Sequence, residues 1–108
     1  MNDFIDKPKI LQQPESALIR NNTSITMQCG AIGSPQASVK WYKDGRSLGG
    51  ANITKIIHGF SIYSRLYLPN LSEKTLHSYY CSFKSRIATV KTRSVQIHVY
   101  GKLRNQLI

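Results

Sequence analysis

Acidic residues are scarce in this chain: 5 Asp or Glu stand against 15 Lys or Arg in 108 residues, a formal charge of +10 with neutral histidines. Such a balance attracts anionic partners and repels cationic ones. Cysteine is nearly absent as well. Cys29 and Cys81 are the only two, so there is no CxxC pair and no zinc ligand set, and what remains is one long-range disulfide or two buried thiols. No apolar run approaches the roughly 18 to 20 residues that span a bilayer, which excludes direct membrane insertion by this fragment. Asp3, Asp6 and Glu15 fall where a signal peptide would be apolar, so a secreted chain has already lost its signal and the chain reads as a domain cut from something longer.

Convergent chemistry is missing too. His58, His77 and His98 fall in different elements without an HxxxH spacing, the five acids form no paired carboxylates, and Gly49-Gly50 is no phosphate loop. No enzyme, metal site or cofactor is expected, and binding is what remains. Helical periodicity is also lacking: no stretch of eleven or more residues sustains it with caps, so helix is confined to a turn in the Glu73–His77 corner. Neither repeats nor low-complexity segments occur.

What is present is the composition of one small globular domain, with 41% apolar and 19% charged residues and a length within the usual domain range. Turn residues recur at short intervals: Pro14, Asn21-Asn22, Gly33-Ser34-Pro35, Asp44-Gly45, Gly49-Gly50, Gly59 and Pro69-Asn70. Between them lie stretches of period two, which marks strands half-buried against a core. Ile25, Met27 and Cys29 share one face; Val39 and Trp41 another; then Ile62, Ser64, Leu66 and Leu68; Tyr79, Cys81 and Phe83; and Val95, Ile97 and Val99. Five inward rows pair into two sheets, an all-β sandwich. Residues 1–7 and 101–108 fall outside the alternation and read as a flexible lead and a linker to a following domain, with the domain itself at 8–100.

Four of the six asparagines sit in N-x-S/T form: Asn21, Asn22, Asn52 and Asn70. Ser and Thr together make up 18 of 108 residues, which gives about one such match by chance. The enrichment points to a secretory chain glycosylated at Asn22, Asn52 or Asn70, with at most one glycan on the adjacent Asn21 and Asn22. An extracellular place, as a receptor ectodomain or a secreted protein, follows.

Cys29 is followed twelve residues later by Trp41, Tyr79 stands two residues before Cys81, and Leu66-x-Leu68-x-x-Leu71 leads into that corner. Over residues 8–100 this resembles the immunoglobulin fold, of I-set or C2-like type. The resemblance implies an immunoglobulin-like β-sandwich whose strand B and F cysteines, Cys29 and Cys81, are bridged, with Trp41 packed on the bridge and Tyr79 tying the E–F corner. Leu66, Leu68 and Leu71 join that core. A bridge closing so long a loop contributes about 4 kcal/mol. Thr75 and His77 replace the Asp and the small residue usual before the second cysteine, so the common salt bridge from that Asp is missing. At finer grain WYKDG, YSRLYLPNLSEKTLHSYYC and TVKTRSVQIHVYGKLR resemble amino-terminal domains of neural adhesion receptors of the sidekick and Down syndrome cell adhesion families. Netrin receptors share the basic strand G but usually carry extra cysteines.

From Lys74 onward there are seven Lys or Arg and no acid. Lys84 and Arg86 approach the F–G turn, Lys91 and Arg93 leave it, and Lys40 and Lys43 on strand C extend the group. The parity of Lys91 and Arg93 matches that of the inward Val95, so a bulge near Thr92–Ser94 is required for them to face solvent. The partner implied is a cell-surface or secreted protein, a second copy of the same domain included, or heparan sulfate; nucleic acid is excluded, since no base-reading motif accompanies the charge. An adhesion or axon-guidance receptor module is the first reading. A heparan-sulfate-binding module of a secreted or growth-factor-linked protein is the second, and an intracellular titin-like module the third, opposed by the sequons and the cysteine pair.

Overall fold

The alternating rows become strands in a computed structural model that describes residues 6–50, 52–72 and 76–100. In chain order these are β1 Asp6–Gln12, β2 Ala17–Arg20, β3 Thr23–Ser34, β4 Ser38–Lys43, β5 Arg46–Ser47, β6 Ile53–His58, β7 Ser61–Leu71, β8 Leu76–Lys84, β9 Thr89–Lys91 and β10 Val95–Tyr100. One sheet runs β1-β3-β7-β6; the other runs β2-β10-β8-β4-β5, with β9 also on β8. This is the immunoglobulin-like sandwich, in which β3 is strand B, β4 strand C, β8 strand F, and β9 with β10 strand G. Among the described residues no strand lies between β5 and β6, and Gly49-Gly50 ends the short β5 excursion.

The amino-terminal strand escaped the sequence pattern because it is divided between the sheets. β1 pairs antiparallel with β3, broken by two register shifts. Pro14, fully buried, removes a ladder donor where the chain crosses over. β2 then pairs parallel with β10, with Ala17 opposite Ile97. β1 begins at Asp6, while residues 1–5 and 101–108 and the Glu73–Thr75 corner lie outside the described residues; Leu76 and His77 already belong to β8.

Burial follows the predicted parity. Met27 and Cys29 from β3, Ile62 and Leu66 from β7, Trp41 from β4, Tyr79, Cys81 and Phe83 from β8, and Val95 and Ile97 from β10 make one core cluster. Leu68 and Leu71 are half-buried at its margin. Each large apolar side chain so placed contributes about 1.5 to 3 kcal/mol. The Cys29–Cys81 disulfide crosses this core and joins the two sheets.

Trp41 is 0% exposed, so its indole N–H needs a partner inside the protein. It donates to Ser64 Oγ at 2.9 Å, and Ser64, itself 0% exposed, donates onward to the Thr54 carbonyl at 3.0 Å. One serine thus links strand C of one sheet to the edge of the other. Gly30 is required beside it in space, because a β-carbon there would run into the Tyr63 ring.

Candidate functional site

The cation-bearing face is built by a single irregularity in strand G. β9 places Lys91 opposite Ser82, whereas β10 places Val95 opposite Tyr79. One residue more is used on strand G than on β8 between those pairs, which is a β-bulge at Arg93-Ser94 facing Tyr80. Thr92 anchors it. Its N–H donates to the Cys81 carbonyl at 2.9 Å, its hydroxyl accepts from the Cys81 N–H at 2.9 Å and donates to the Arg93 carbonyl at 3.0 Å. The hydroxyl therefore completes a ladder that the extra residue interrupts, and Thr92 is buried while Lys91 and Arg93 are exposed.

With that shift, Lys91 and Lys40 flank Ser82 on opposite sides. Lys84 lies two residues along the same side of β8, between Ser38 and Thr89. Arg86 stands at the tip of the F–G hairpin, whose turn is closed by the Ser85 N–H donating to the Ala88 carbonyl at 2.9 Å. Arg93 is set at the margin, its N–H donating to Gln13 Oε1 at 2.9 Å in the link between β1 and β2. Lys43 does not join the group. It has the parity of Trp41, is half-buried, and lines a small cavity with Leu71 and His77 at the opposite end of the domain. Among the described residues none of Lys40, Lys84, Arg86, Lys91 and Arg93 is ion-paired.

Two aromatic rings occupy the centre of this face, a feature that the pattern of charges alone does not reveal. Tyr42 and Tyr80, paired across β4 and β8, stack with centroids 4.9 Å apart and an interplanar angle of 7°. Lys91 Nζ lies 5.5 Å from the Tyr80 centroid, within cation–π range. The parity of WYK and YYC, with Trp41 and Tyr79 inward, already places both rings outward.

At the other end an acidic side chain ties the β4–β5 turn to β8. Asp44 and Gly45, with φ of 51° and 85°, form the two-residue turn that suits a hairpin's twist. That turn carries Asp44 to β8, where its carboxylate accepts from the Ser78 N–H at 2.9 Å and contacts His77 Nδ1 at 2.7 Å. The Ser78 N–H, with His77 beside it, holds the Asp44 carboxyl below the usual carboxylate range. Burial pushes the Tyr79 phenol up, and the Asp44 charge adds to that.

The sequon asparagines lie elsewhere. Asn22, Asn52 and Asn70 are all exposed, whereas Asn21 is half-buried with its Oδ1 enclosed. Asn22 is in the turn after β2, Asn70 near the end of β7, and Asn52 beside Tyr67, whose N–H donates to the Asn52 carbonyl at 2.9 Å.

Comparison with known proteins agrees with this architecture. The profile of the family described as immunoglobulin domain matches residues 7–85. Roundabout homolog 3 of Homo sapiens is 34% identical over 80 residues, 72% of this chain and 5% of that protein. The solved amino-terminal eight immunoglobulin domains of Down Syndrome Cell Adhesion Molecule superpose with a TM-score of 0.80 at 22% identity, covering 90% of this chain and 13% of that one. The titin M3 domain superposes with a TM-score of 0.69 at 22% identity, covering 85% and 95% respectively. At such identities the two structures show the fold alone, and the chain spans only a small part of Roundabout homolog 3.

Proposed function

The chain belongs to the immunoglobulin domain family, and from that premise we propose that it is an extracellular binding module of a cell-surface adhesion or axon-guidance receptor, recognising another cell-surface or secreted protein. The observation that carries the reading is the 34% identity with Roundabout homolog 3 across 72% of the chain; the likeness in fold to a cell adhesion molecule is secondary to it. A disulfide through the core suits an oxidising compartment, and three exposed sequon asparagines suit the secretory route. A pentamerised form of the domain tested against an array of extracellular ectodomains is expected to give saturable binding to a small set of them. Failure to bind any, by a domain shown to be folded and bridged, would remove the reading.

A second reading rests on Lys84, Arg86, Lys91 and Arg93, all exposed and, among the described residues, none in an ion pair. These favour a heparan-sulfate-binding module, since exposed cations act on a polyanion through their summed field. Heparin chromatography of the wild type against the four-alanine variant at these positions tests it. Lower elution salt for the variant supports it, and equal elution salt refutes it.

A further inference from the structure

Alternate residues of β8 that point away from the buried Tyr79, Cys81 and Phe83 are Leu76, Ser78, Tyr80, Ser82 and Lys84. They run about 27 Å along the strand, and the sheet from β2 to β5 is about 19 Å across, at strand rises and spacings of ordinary size. The resulting face of about 500 Å² in projection lies at the low end of what one side of a transient complex uses.

Its two halves differ in emphasis, the E–F half carrying the leucines with Arg20 as an outward cation at its end on β2. Toward the E–F end, β2, β10 and β8 place Leu18, His98 and Leu76 in one cross-strand row, and the leucines are 66% and 59% exposed. The next row is uncharged, with Gln96 Nε2 donating to Ser78 Oγ at 2.8 Å. The stacked Tyr42 and Tyr80 follow. Beyond them Ser82, only 8% exposed, is sunk between Lys40 and Lys91, and Lys84 adjoins. Among the described residues no acid holds an outward strand position on this sheet: Glu15 precedes β2, and Asp44 is in the turn, engaged by Ser78 and His77.

We infer that this outer face is a two-part docking surface for a different protein, one that sets carboxylates against Lys40, Lys84 and Lys91 and an apolar patch against Leu18 and Leu76 across the tyrosine pair. The inference rests on the proposed reading of the chain as a protein-recognition module and names the face and the partner chemistry. Charge argues for a different protein as occupant, since two such faces on chains of +10 packed cation end to cation end would set like charges opposite one another. Chemistry separates a protein from a sulfated polysaccharide. Ammonium groups alone satisfy sulfates, but exposed leucines and a flat aromatic pair at the centre are groups that a protein interface buries. The sequon asparagines are not on this face: Asn70 lies in β7 of the other sheet, Asn52 in the turn just before β6 of that sheet, and Asn22 in the turn after β2.

The test is an amide chemical-shift titration of the disulfide-bonded, isotope-labelled domain with a designed amphipathic peptide of Glu, Leu and Tyr, with a heparin oligosaccharide as comparator. Expected are shifts on the outward positions of β2, β4, β8, β9 and β10, and a fall in affinity of about tenfold between about 0.05 and about 0.5 M NaCl. The K40E/K91E variant should abolish these shifts, and L18S/L76S should weaken the peptide while leaving heparin unaffected. The inference is overturned if the peptide shifts map to β1, β3, β6 and β7, if L18S/L76S weakens nothing, or if dilution of the domain alone moves the same resonances. An ectodomain from the array that still binds K40E/K91E and L18S/L76S would overturn this face while leaving protein recognition standing.

Discussion

Replacing Ser64 with Ala removes one oxygen, yet it should cost a sizeable share of the domain's stability. The hydroxyl is the acceptor of the Trp41 indole N–H at 2.9 Å, and both residues are 0% exposed. Without it the N–H stays buried and unpaired, a penalty of about 1 to 3 kcal/mol. Water does not rescue it: the indole N–H and the Thr54 carbonyl face the vacated point, but an oxygen there would lie at covalent distance from the β-carbon of residue 64, so the space is too small for a water. The Thr54 carbonyl, which also loses its partner, belongs to an exposed residue of the edge strand and can turn to solvent. Against a total of about 5 to 15 kcal/mol for a small domain, that loss lowers Tm by about 5 to 20 °C. Urea unfolding with the disulfide intact, on the wild type, Ser64→Ala, Trp41→Phe and the double variant, separates this penalty from packing. With phenylalanine at 41 there is no N–H to orphan, so Ser64→Ala should then cost under about 0.5 kcal/mol. An equal cost in both backgrounds would refute the argument.

Thr92→Val, which keeps the shape and removes the hydroxyl, orphans the buried Cys81 N–H and should cost about 1 to 3 kcal/mol; the same urea titration reads it. Gly30→Ala drives a β-carbon into the Tyr63 ring and should cost about 1 to 3 kcal/mol by overpacking, with a shifted Tyr63 ring resonance in NMR spectra. Asp44 has a depressed carboxyl in the fold, so its contribution is complete above its ordinary value of 3.8 and is lost as pH falls through the lower folded value. The stability gap between wild type and Asp44→Asn should therefore hold at neutral pH and close below about pH 3.8 in acid titrations followed by circular dichroism. In protein from a secretory host, glycosidase treatment should shift the mass through Asn52 or Asn70, and Asn21→Gln should leave that shift unchanged.

The inward rows were legible because a strand with one buried face writes a period of two into the sequence, and Met27, Cys29, Trp41, Leu66, Tyr79 and Val95 all lie where that period puts them. β1 and β2 were not: β1 alternates in burial from Lys7 to Gln12, but its inward positions are Pro8, Ile10 and Gln12 while Leu11 faces out, so the apolar residues do not alternate, and β2 has only four residues. β6 escaped for a related reason. It is an edge strand on which Lys55 takes an inward register opposite Ser64 while remaining exposed. The cations of strand G were legible as charges, and their need of a bulge followed from parity, but Lys43 was grouped with Lys40 although three residues along a strand reverse the face. The partners of Ser64, Thr92 and Asp44 are long-range hydrogen bonds that leave no periodic trace.

Photocrosslinking from inside the complex reads the binding face directly. A photoreactive residue is placed at Ser78, on the outer face of β8, and in a second protein at Tyr67, on the exposed side of β7 in the other sheet. Each is irradiated with the ectodomain that the array identifies. The account predicts a covalent adduct from position 78, lost in K40E/K91E, and none from position 67. Adducts from position 67 with none from position 78 would contradict it.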